Sequence, residues 1–102
     1  MDHALITRLE RIAALDIQIL PLAEISSHFV FERGGFSVLV ERRDGGFGGI
    51  GGPGQLTESG FAALVDRQGG PWFVGKGQQR QAADGEAEAA RSLFTDLKSA
   101  LS

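Results

Sequence analysis

A chain of 102 residues with 42 % hydrophobic and 23 % charged residues has the length and composition of one globular domain. It contains no cysteine, which excludes disulfide staples, thiolate metal sites and a cysteine nucleophile. The net charge of −3 is spread along the chain, with arginines among acids as in Arg8-Leu9-Glu10-Arg11 and Glu41-Arg42-Arg43-Asp44; no basic stripe exists for a nucleic-acid backbone.

The N-terminal residues carry an acid at Asp2 and recurring charges at Arg8, Glu10, Arg11 and Asp16. A secretory signal needs a basic start and an unbroken apolar stretch, so the expectation is a soluble, cytoplasmic protein with no membrane partner. Residues 3–14 place Leu5, Leu9, Ile12 and Ala13, with Ile6, at helical spacing and predict an amphipathic helix. Ile17-Gln18-Ile19-Leu20 predicts a short strand ended, or made an edge, by Pro21, and residues 22–27 a connector.

A glycine pair followed closely by an aromatic occurs at Gly34-Gly35-Phe36, Gly45-Gly46-Phe47 and Gly69-Gly70-Pro71-Trp72. Glycine supplies the positive φ of tight hairpin turns, and aromatics suit a half-buried strand, so each pair reads as a reversal into a new strand. His28–Arg33 and Phe36–Arg42 are the strands around the first pair, with Phe29 and Phe31 on one face and Phe36, Val38 and Val40 sharing a face opposite Leu39. Residues 47–52 predict a glycine-rich strand broken at Gly52-Pro53-Gly54, followed by a loop over 55–60. Thr57 or Ser59 would cap a helix over 61–66, but the segment is short and leads through Gly69-Gly70 into Trp72-Phe73-Val74; it is read as a strand of the last hairpin. Residues 76–83 are polar and predict a linker. Asp84 then begins a helix with the apolar stripe Ala90, Leu93, Phe94, Leu97, Ala100 and Leu101, acids at Glu86 and Glu88 and Lys98 near its end. The expected fold is a single α+β domain over residues 1–102: an antiparallel meander of four to six strands flanked by two amphipathic helices packed on one face.

Residues 44–54 hold seven glycines in eleven positions and match G-x-G-x-x-G literally, yet no helix follows to aim amides at a phosphate, and no Gly-Lys-Ser/Thr occurs. The plain reading is turn and bulge. The functional alternative is an anion-contacting wall of Gly48, Gly49, Gly51 and Gly52, with Lys76, Arg43 or His28 as the charged partner. A bare glycine strand also lets another chain approach closely. Glu24, His28 and Glu32 are spaced by four, but only two histidines exist, so a half-exposed strand histidine outweighs a metal or acid–base site. No G-x-S-x-G elbow is present. Arg33-Gly34-Gly35-Phe36-Ser37-Val38 resembles part of the aromatic signature of RNA-recognition-motif sheets, but the second aromatic is missing. No cofactor is expected.

Adjacent strand residues point to opposite faces, so Trp72 and Phe73 cannot share a core. Helices on one face leave one of them, with Leu39, on the other. An uncovered apolar face marks an interface unless the sheet curls or residues 15–27 cover it. The sequence therefore points to a non-catalytic binding domain that pairs with a second copy or another protein through Leu39, Trp72 or Phe73, whichever is exposed.

Overall fold

The computed structural model describes residues 3–20, 27–44 and 46–102. Helix α1 (His3–Ala14) leads into strands β1 (Gln18–Leu20), β2 (His28–Arg33), β3 (Phe36–Arg43), β4 (Gly46–Thr57), β5 (Gly60–Arg67), β6 (Gly70–Gly75) and β7 (Gln78–Gln81), and helix α2 (Asp84–Leu101) ends the chain. The strands form one antiparallel sheet in the order β1-β2-β3-β4-β5-β6-β7, so each strand pairs with its neighbours in sequence. The α+β antiparallel architecture is as expected, but the sheet has seven strands rather than four to six.

The first glycine pair does what its chemistry requires. Gly34 and Gly35 have φ of 63° and 90° between the closing partners Arg33 and Phe36, a turn whose twist matches that of the flanking strands. Asp44-Gly45 likewise lies between paired Arg43 and Gly46, although Gly45 itself is outside the described residues. So are residues 22–26 of the expected connector over 22–27.

Two expectations are corrected. The break at Gly52-Pro53-Gly54 is absent: β4 runs on to Thr57, and Gln55–Thr57 pair with β5 instead of looping. The polar linker over 76–83 contains β7, whose residues pair from Trp72↔Gln81 to Gly75↔Gln78. The last hairpin is therefore β6–β7.

Alternation assigns the faces. Phe31, Phe36, Val38, Val40, Ala62 and Phe73 join Ile12 of α1 and Ala87, Ala90, Leu93, Leu97 and Ala100 of α2 in one buried cluster. The α1 stripe is narrower than its sequence implies, since Ile6 and Ala13 are exposed. Helix α1 ends in a reversed turn: Asp16 has φ 60°, Ile17 N–H donates to the Ile12 carbonyl at 3.3 Å, and Ile17 is turned into the core. At the start of α2, Glu86 accepts from the Ala83 N–H at 3.1 Å and from Arg80 at 2.8 Å, while the Arg80 guanidinium lies 4.9 Å from the Phe73 ring centroid.

Strand β4 carries two bulges. Val40 pairs with Ile50, Arg42 with Phe47 and Val38 with Pro53, so Gly48-Gly49 and Gly51-Gly52 each place two residues opposite one residue of β3. The extra residues keep both Phe47 and Ile50 packed against the core. Pairing with β5 begins only at Gly54, so among the described residues the first part of β4 is laddered to β3 alone.

Candidate functional site

The face turned away from the helices is built from the other half of the same alternation. Register aligns Val30 with Leu39, Leu56 with Phe61, Ala63 with Val74 and Val65 with Trp72 across successive strands. Each of these side chains is apolar, and none belongs to the helix-side cluster. On this face Val30 and Ser37 are buried outright, and Leu39, Leu56, Phe61, Val65, Trp72 and Val74 are half-buried. The Phe61 ring lies over Gly54, where a side chain would occupy its place.

Polar groups on this face lie toward its margins. Glu32 and His28 flank Val30 along β2, and Glu32 Oε1 accepts from the Gly35 N–H at 2.7 Å in the hairpin turn. Arg67 donates to Gln79 Oε1 at 2.8 Å, with its guanidinium 5.9 Å from the Trp72 ring centroid. Gln79 and Gln81 of the edge strand pair with Val74 and Trp72. The centre of the face thus carries no charge, and the flanking polar groups are already hydrogen-bonded to one another or placed at strand ends.

Of the three candidate interface residues, Leu39 and Trp72 stand on this face and Phe73 does not. Phe73 is 2 % exposed, with its ring stacked at 5.9 Å on that of Phe36. Its place among interface residues is withdrawn: alternation had to send one of two adjacent aromatics inward, and the helices cover the side of Phe73.

The residues proposed to hold an anion are not brought together. Gly48, Gly49, Gly51 and Gly52 lie within a strand paired to β3, not in a loop or at a helix N-terminus. Lys76 is in the β6–β7 turn at the other end of the strand order. His28 Nδ1 is 2.8 Å from Ser27 Oγ, and the residue pairs with Glu41 across the β2–β3 ladder. Arg43 forms an ion pair with Glu41. Glu24 lies outside the described residues; among those described, no three His, Asp or Glu side chains are grouped to hold a metal ion.

One residue with a structural part was not singled out by its sequence context. Arg33 reads as a surface charge beside Glu32, yet it reaches the Leu15 carbonyl at 3.1 Å and Asp96 of α2 at 3.0 Å. Its place on the Phe29–Phe31 face was the available signal.

The fold thus defines a class: an open antiparallel meander with both chain ends helical and one sheet face uncovered by helix. Among the described residues no helix is long and apolar enough to cross a membrane. No protein-family model, curated protein sequence or solved structure matches the chain.

Proposed function

We propose that this domain acts by association rather than catalysis, pairing with a second copy of itself through the helix-free sheet face. The observation that carries the reading is the set of half-buried apolar side chains Leu39, Leu56, Phe61, Val65, Trp72 and Val74 on the face turned away from the helix-side cluster. Soluble proteins seldom leave such a surface to water. Its uncharged centre and polar margins match the usual division into core and rim. A twofold arrangement would set Trp72 and Leu39 of each copy against the same surface of the other.

Sedimentation velocity from submicromolar to submillimolar concentration tests this directly. The expected result is a concentration-dependent dimer, and Trp72→Glu should weaken it by more than about thirtyfold while the far-ultraviolet circular dichroism stays unchanged. Trp72 is the chain's single tryptophan, so its emission should shift to the red as the dimer dissociates on dilution. A monomer throughout the range overturns the reading.

A further inference from the structure

A second feature lies on the opposite side of the sheet and is independent of the association proposed above. Helix α1, strands β1 and β2 and the β3–β4 hairpin enclose a cleft of about 620 Å³, within the ~300–1,000 Å³ common for small-molecule sites. Its walls are Leu5, Leu9, Ile19, Phe29 and Phe47. Ile19, one of the large aliphatic residues exposed among those described, lines it.

The informative residue at its mouth is Arg42. The strand β3 row Phe36, Val38, Val40 faces the core, and Arg42 continues that row at the point where the cleft opens. Its guanidinium lies 4.4 Å from the Phe29 ring centroid. A cation–π contact satisfies the charge through the ring without using up the guanidinium N–H donors in hydrogen bonds. Among the described residues no carboxylate pairs with the Arg42 side chain, whereas its neighbour Arg43 is engaged by Glu41. Asp44, exposed on the turn beside them, places a negative charge at the rim and disfavours a multiply charged anion relative to a monoanion.

We infer that this cleft binds a small amphiphilic carboxylate, its apolar body against Leu9, Ile19, Phe29 and Phe47 and its carboxylate forked on Arg42. A guanidinium beside an aromatic ring at the end of an apolar trough can offer a planar donor pair to the planar acceptor pair of a carboxylate, the basis of Arg–carboxylate recognition.

The test is a titration of the full chain with decanoate, and separately with decanol, below their self-association concentrations, followed in amide correlation spectra. Decanoate is expected to produce saturable shifts centred on Ile19, Gly46 and Phe47. Arg42→Gln, a change at an exposed position, should weaken decanoate by about tenfold or more and leave decanol unaffected. Absence of saturable shifts, equal binding of decanol and decanoate, or an Arg42→Gln protein that binds decanoate as well as the wild type each overturns the inference. Sedimentation reads the helix-free face and this titration reads the cleft, so failure of either leaves the other standing.

Discussion

Gly54 lies beneath the Phe61 ring and against the backbone of β5. A Cβ added there would overlap the Ala62 carbonyl oxygen and come within 2.5 Å of Phe61 Cζ. A carbonyl in a paired strand cannot yield as a flexible side chain can. Gly54→Ala should therefore cost ~1–3 kcal/mol, as overpacking of a close contact does. Gly49, five residues earlier in the same strand, has nothing within 4 Å of an added Cβ. Gly49→Ala should leave stability unchanged or raise it by up to ~1 kcal/mol through the unfolded chain. Urea midpoints of the two variants check the contrast; equal effects would show that the close approach at Gly54 is relieved by a backbone shift. The two glycines belong to one run in the sequence, and only their register separates a packing contact from an exposed bulge.

At the scale of elements, the join between β7 and α2 depends on Glu86. Its hydrogen bond from Arg80, then that from the Ala83 N–H, lowers its pKa below the ordinary glutamate range. A carboxylate whose folded pKa is depressed contributes stability above the unfolded value and loses it as the pH falls through the folded one. The side chains are 48 % and 32 % exposed, so solvent screening keeps the pair's contribution below ~1 kcal/mol. Glu86→Gln should therefore lower the urea midpoint slightly near neutrality, and its difference from wild type should shrink as the pH falls below the ordinary glutamate range and through the lowered pKa of Glu86. A difference that persists in acid would mean that packing of the residue, not its charge, is what matters.

The same junction shows why part of the fold was hidden in the sequence. Strand β7 reads Gln-Gln-Arg-Gln and has no apolar alternation to betray it. It is an edge strand held by its ladder to β6, by the Gln78–Thr57 contact at 2.9 Å and by Arg80. The full length of β4 is hidden in the sequence because Gly-Pro-Gly normally ends a strand. Here Pro53 adjoins a bulge, just before pairing to β5 begins, a position where proline is tolerated. By contrast, Phe29–Phe31, Phe36–Val38–Val40 and the α2 stripe were legible because each buries a single face at its own period. The opposition of Trp72 and Phe73 followed from the pleat, but which of them faced inward depended on where α2 docks. The cleft was not legible, because Leu9, Ile19, Phe29 and Arg42 come from separate elements and meet only through the fold.

For the molecule as a whole, a meander makes most contacts between sequence neighbours, so some long-range tie must hold the two terminal helices to the sheet. Arg33 supplies one. It stands at the end of β2, on the helix side, and donates from Nη1 to the Leu15 carbonyl that follows α1. From Nη2 it reaches Asp96 at 3.0 Å and Ser92 Oγ at 3.4 Å, both on α2. One planar side chain thus joins the end of α1, the sheet and α2. The Asp96 pair alone is partly exposed and contributes at most ~1 kcal/mol, but the part-buried Leu15 carbonyl would lose its side-chain donor as well if the guanidinium were removed. Arg33→Met should then cost ~1–3 kcal/mol, more than Asp96→Asn, and Arg33→Lys should recover only part of the loss because an ammonium cannot span both helices with one rigid fork. Urea unfolding of the three variants ranks them: an Asp96→Asn loss equal to that of Arg33→Met would reduce the residue to a surface ion pair, whereas the expected order makes it the tie between the two ends of the chain.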